Sequence, residues 1–158
     1  MGTNPLDPAS ALRRAGLRVT APRLAVLTAL STGTSHPSAD TIVSAVRGHL
    51  GDSSAQTVYN VLRTLTDAGL VRRIEPAGRP GLYELRVGDN HHHIVCRHCD
   101  AIADVDCAVG ATPCLMAADA SGFEIDEAEV IYWGRCPACA AAASPSPDQG
   151  GAVPDSAR

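Results

Sequence analysis

No lysine occurs among the 158 residues, so arginine supplies all thirteen cationic side chains. Its planar fork of donors suits phosphate and guanine, while a codon bias toward arginine leaves the same trace, and the absence alone does not separate the two. No stretch approaches the roughly 18 consecutive apolar residues of a membrane span. Nor does Met1-Gly2-Thr3-Asn4-Pro5 have the basic-then-apolar beginning of a secretory leader. These absences lead us to expect a soluble cytoplasmic protein without a membrane partner. What is present, 45% apolar and 19% charged residues, excludes a wholly disordered chain. Six cysteines in an intracellular chain point to metal or redox chemistry rather than to a disulfide scaffold.

The net charge of −4 conceals two unlike halves. Residues 1 to 86 carry 10 arginines against 6 acids, and residues 87 to 158 carry 3 arginines against 11 acids. The basic half is the candidate for a polyanion and the acidic half for cations. We expect a flexible N-terminus over 1–9, a winged-helix DNA-binding domain over 10–86, a metal-binding dimerisation domain over 87–139 and a disordered tail over 140–158. The fold class is α+β.

Capping signals divide the first 69 residues into helices. Leu12, Ala15 and Leu17 suggest a short first helix; Thr20-Ala21-Pro22-Arg23 starts a second with Leu24, Val26, Leu27 and Leu30. Ser38 caps a third with Ile42, Val43, Val46 and Leu50 on one face, and Ser53 or Ser54 a fourth with Val58, Val61, Leu62, Leu65 and Ala68 at helical spacing. The period then becomes alternating, and Leu70 to Ile74 and Gly81 to Val87 read as a hairpin carrying Arg72, Arg73 and Arg79. Helices followed by a basic hairpin make a winged helix-turn-helix, whose last helix enters the major groove. Gln56, Thr57, Tyr59, Asn60 and Arg63 lie off its apolar row and are the candidate base readers, with Arg73 for the DNA backbone. In the second half we expect strands at His91 to Cys96, Ala101 to Val105, Phe123 to Ile125 and Val130 to Trp133, and a helix near Pro113 to Ala120.

Cys96-Arg97-His98-Cys99 and Cys136-Pro137-Ala138-Cys139 are two CxxC knuckles, and four thiolates make a closed tetrahedral zinc site. In an extended strand His91 and His93 face one side and His92 the other, so the first two can chelate one ion. His36, Glu84 and Asp104 are further candidates to converge there, and such nitrogen and oxygen ligation suits Fe(II), Mn(II) or Zn(II). Cys107 and Cys114 lie outside the zinc set, as a redox pair or as two small apolar residues. A zinc deaminase needs a His or Cys two residues before a catalytic Glu, which is missing, so we expect no enzyme. A metal-storage or redox-chaperone protein would have no use for the fourth helix and the basic hairpin.

His36-Pro37-Ser38-Ala39-Asp40, Thr57-Val58-Tyr59-Asn60-Val61-Leu62, Tyr83-Glu84-Leu85, His91-His92-His93-Ile94-Val95-Cys96 and the paired knuckles together resemble the ferric uptake regulator family across residues 10 to 139. Asp89 to His93, Ala103 to Gly110 and Asp126 to Gly134 look most like its actinobacterial FurA/CatR-type branch, whose members are typically encoded beside catalase-peroxidase and repress it. The resemblance implies a homodimeric, metal-dependent repressor of a palindromic operator on double-stranded DNA, with Fe(II) or Mn(II) as corepressor. It implies regulatory ligands His36, Glu84, His91, His93 and Asp104, structural zinc on Cys96, Cys99, Cys136 and Cys139, and DNA contacts from Tyr59 and Arg18. Asn60 stands where many relatives carry arginine, and Asp100 where they carry glycine. A further metal site of some relatives is expected to be absent or weak, because Asn90, Ala111 and Ala128 occupy its places beside His92. Within this reading the alternative is a general iron-uptake or zinc-responsive repressor.

Overall fold

The computed structural model describes residues 7–51, 53–85, 91–107, 117–125 and 128–143. The chain divides into two compact units, Met1–Asp89 and Asn90–Arg158.

In the first unit, α1 (Pro8–Arg14) is capped by Asp7, whose carboxylate accepts from the amides of Ala9 and Ser10. Asp7-Pro8 thus supplies cap and first turn together, and the helix begins inside the stretch expected to be a flexible N-terminus. Helix α2 (Ala21–Thr32) has proline in its first turn; Thr20 occupies the cap position, but its side chain makes no capping bond. In α3 (Ala39–Leu50) the Ser38 hydroxyl accepts from the Thr41 amide at 3.2 Å. In α4 (Ala55–Asp67) Ser54 does the same for Thr57 at 3.1 Å. Gly69, at φ +66°, then turns the chain out of α4 through a region that side-chain-bearing residues enter reluctantly.

The apolar rows meet in one core, with Leu12, Val26, Val46, Val58, Leu62 and Leu65 at its centre. Leu50 departs from expectation: it ends α3 at 39% exposure, so the buried face of that helix stops at Val46. Strands β1 (Arg72–Ile74) and β2 (Leu82–Glu84) form the antiparallel wing, with Arg73 opposite Tyr83. They are shorter than the expected strands, and residues 86 and 87 lie outside the described residues. Ser38 bridges to Leu82, and the Tyr83 amide donates to the Pro37 carbonyl at 3.0 Å, tying the start of α3 to the wing.

The second unit is a three-stranded sheet in the order β4-β3-β5. Strand β3 (His91–Cys96) pairs antiparallel with β4 (Ile102–Asp106) and parallel with β5 (Ile131–Gly134). Helix α5 (Pro137–Ala143) follows. It claims Ala140 to Ala143 from the tail expected to be disordered, because a proline first turn leads into an alanine run, the best helix former.

One expected element is not formed, and a second falls half outside the described residues. Of the helix expected near Pro113 to Ala120, residues 117–120 are not helical and the rest lie outside the described residues. Phe123 to Ile125 is not a strand, and Phe123 is 77% exposed. Alternating apolar text makes a strand only where a neighbouring edge accepts its hydrogen bonds. No helix among the described residues is long and apolar enough to cross a membrane.

Candidate metal centres and nucleic-acid interface

The four-cysteine cluster is assembled by the sheet. A tight turn after β3, closed by the Asp100 amide donating to the Cys96 carbonyl at 3.1 Å, presents Cys96 and Cys99. The parallel β3–β5 pairing sets Cys96 opposite Gly134, which delivers Cys136 and Cys139 at the start of α5. The four sulfurs lie within 4.8 Å of one another, and the Cys99 and Cys136 Sγ atoms are 3.6 Å apart. A tetrahedron of zinc–sulfur bonds has edges of about 3.8 Å, so the donor set fits that ion.

The four sulfurs differ in their electrostatics. The Cys136 amide donates to Cys96 Sγ at 3.3 Å, and with the amides of Cys99 and His98 it lowers that thiol to about 5. Cys139, crowded first by the Cys136 sulfur and then by Cys99, is raised to about 12. One sulfur is stabilised as thiolate while its neighbour is held protonated, an imbalance that a divalent ion removes. Asp100 adopts φ +63°, the left-handed conformation its turn demands and that glycine would adopt more easily.

The remaining expected ligands fall into two sets, one per unit. In the first unit His36 Nε2 lies 3.2 Å from Glu84 Oε2, both side chains almost wholly buried. The wing tie at Pro37 and Tyr83 sets that pair. In the second unit His93 stands opposite Asp104 in the sheet register, with its Nε2 3.8 Å from Asp104 Oδ1. The His91 and His93 rings are 4.9 Å apart on the same face, as alternation requires. His92 faces the other way, with its ring 6.4 Å from that of Tyr132. Cys107 is half-buried just after β4, whereas Cys114 lies outside the described residues.

The expected DNA-contacting residues other than Arg73 lie on α4 or in the cleft beside it. Gln56, Tyr59, Asn60 and Arg63 are exposed on α4. Arg18, Thr20, Arg23, Thr57, Asn60 and Thr64 line an open cleft of about 430 Å³ between the start of α2 and α4. Arg23 Nη1 donates to the Arg18 carbonyl at 2.8 Å, which holds two cationic residues together there.

Sequence reasoning did not find three partners in this region. The Tyr59 hydroxyl donates to Asp40 Oδ1 at 3.3 Å, and that carboxylate holds the phenol above its usual range. Arg73 is paired with Glu75 at 2.6 Å, and its guanidinium lies so close over Gly81 that a Cβ there would sit 2.8 Å from Nε. The acid two residues beyond Arg73 was the available signal, since alternate residues of a strand share a face.

A winged helix and a small sheet domain with a four-cysteine cluster define a metal-binding transcriptional regulator. The chain belongs to the ferric uptake regulator family, which it matches over residues 14–132. It is 63% identical over 135 residues to the transcriptional regulator FurA of Mycobacterium tuberculosis, covering 84% of this chain and 90% of that protein. It is 63% identical over 130 residues to the ferric uptake regulation protein 1 of Mycolicibacterium fortuitum, covering 81% and 79%. The peroxide operon regulator of Bacillus subtilis is 30% identical over 128 residues, covering 81% and 88%. Among solved structures, the ferric uptake regulator from Pseudomonas aeruginosa with manganese aligns at a TM-score of 0.61 and 29% identity, covering 82% of this chain and 98% of that one. The related proteins are transcriptional regulators rather than enzymes.

Proposed function

We propose that this regulator is a cytoplasmic homodimeric repressor that binds a palindromic operator when a single divalent ion is held jointly by His36 and Glu84 of the first unit and by His91, His93 and Asp104 of the second. The observation that carries the reading is the split donor set. His36–Glu84 and His93–Asp104 are each a ready-made pair, and each alone offers too few donors for a six-coordinate ion. An ion that takes both sets is satisfied in only one orientation of the units. By mass action it stabilises that orientation, which presents two α4 helices at the half-site spacing of an operator.

Fe(II) or Mn(II) suits the nitrogen and oxygen donors, and zinc the four cysteines. Fe(II) held by His36, Glu84, His91, His93 and Asp104 would supply a reactivity toward peroxide that Mn(II) in the same donors would lack. Addition of oxygen to His36 or His91 removes a donor, loosens the tie between the units and releases DNA. The genes we assign to it are that of a catalase-peroxidase and the repressor's own, and likeness to a regulator named for a peroxide operon supports the peroxide response. The relatives named for ferric uptake support iron-uptake genes as the second reading.

Footprinting on the region upstream of the protein's own gene separates these readings. Protection is expected with Fe(II) or Mn(II), and peroxide should abolish it in the Fe(II) form alone, with oxygen added to a peptide holding His36 or His91. His36→Ala should lose ion-dependent protection while retaining one zinc per chain. Wild-type protection by that variant would refute the joint site. Equal peroxide sensitivity of both metal forms, with a Cys107 to Cys114 disulfide and intact histidines, would assign release to the thiols.

A further inference from the structure

On the exposed side of α4, Gln56 Nε2 donates to Asn60 Oδ1 at 3.1 Å across one helical turn. The bond fixes more than a rotamer. A glutamine amide carries two N–H donors on Nε2 and an acceptor at Oε1. With one hydrogen given to Asn60, the exposed remainder is one donor and one acceptor side by side, in a fixed orientation. Asn60 also lines the cleft that contains Arg18 and Arg23, so the pair lies next to the two cations suited to a DNA backbone.

In the major groove, adenine presents an acceptor at N7 and a donor at N6, whereas guanine presents acceptors at both N7 and O6. The remainder on Gln56 matches adenine atom for atom: Nε2–H to N7, and N6–H to Oε1. Against guanine, Oε1 would face O6 with no hydrogen between them. Turning the amide over would give up the bond to Asn60 and only set Oε1 against N7, which is also an acceptor. We propose that Gln56 reads an adenine in each operator half-site and that Asn60 is the positioning residue that orients its amide. This rests on the proposed DNA-binding role and adds to it the base that one residue selects. A helix-stabilising pair at this spacing would give the same bond but no base preference.

The test is selection of duplexes from a random-sequence library by the full-length Mn(II)-loaded protein, followed by affinity measurements on the selected duplex. The wild type should retain an A·T pair at one position per half-site that Gln56→Ala no longer retains. Replacing that adenine by 7-deazaadenine, which lacks N7, should weaken the wild type on the order of tenfold and leave Gln56→Ala unchanged. Asn60→Ala should reduce the A·T preference at the same position, and Asn60→Asp, which keeps an acceptor for Nε2, should restore it even as its charge lowers overall affinity. An unchanged base preference at every position in Gln56→Ala overturns the inference while leaving the repressor reading intact. Failure of the wild type to enrich any duplex would overturn both.

Discussion

The two units are held together by different physics. In the first, helical rows bury a continuous apolar core from Leu12 to Tyr83. In the second, Val95 and Cys96 are the only buried apolar residues among those described, beside three buried histidines. A sheet with so little apolar burial gains little from the hydrophobic effect. An ion held by the four-sulfur cluster would add cohesion, because metal-binding free energy at such a site is folding free energy. The helical unit is therefore a conventional fold, and the sheet unit is one that a metal ion would complete.

The sharpest way to break that contrast is to remove zinc. Cys96→Ser or Cys136→Ser should cost the second unit on the order of 10 kcal/mol of folding free energy. Loss of one zinc per chain and of the dimer is expected, seen by metal analysis and sedimentation, while the amide signals of the first unit persist. Full zinc content with an intact dimer would sink the idea. The converse substitution, Leu62→Ala, should cost the first unit about 2–5 kcal/mol in thermal unfolding with zinc content unaltered.

Smaller effects sharpen the comparison at the surface. Tyr59→Ala should relax operator specificity by about 1–3 kcal/mol if the ring contacts a base, whereas Arg73→Ala should weaken all sequences alike and reduce the salt slope by about 1. Equal loss on operator and random DNA for Tyr59→Ala would remove it from the reading set. Asp100→Gly should produce the smallest change, a stabilisation of about 1 kcal/mol, because glycine enters positive φ without steric cost. A lowered melting temperature in that variant would show that the aspartate side chain contributes more than its backbone strain costs.

Most of the first unit is legible in its sequence, because Ser38, Ser54 and Gly69 punctuate helices whose apolar residues recur at 3.6. The knuckles and the His91–His93 alternation are legible for the same reason: each depends on local spacing. What is hidden depends on pairing at a distance. Nothing local announces that β5 lies parallel to β3, and alternation at Phe123 to Ile125 suggests a strand that pairs with no neighbour among the described residues. The Asp40 contact to Tyr59 and the close approach of Arg73 to Gly81 are likewise products of assembled helices and strands. Ala140 to Ala143 is a different failure. The helical signal lies in the alanines themselves, although the Ser, Pro and Gly residues that follow them read as disordered.

The parallel pairing of β3 with β5 also sets a timetable. Cys99 and Cys136 are separated by 37 positions in the chain yet meet at 3.6 Å. At about 5–20 residues per second of synthesis, the first knuckle leaves the ribosome seconds before the second. During that interval the nascent chain displays two thiols that can be captured by an oxidant or by a competing soft metal. The helical unit, made earlier and needing no ion, can already be folded. The four-sulfur site is thus completed only when the second CxxC turn emerges, a few seconds after the first.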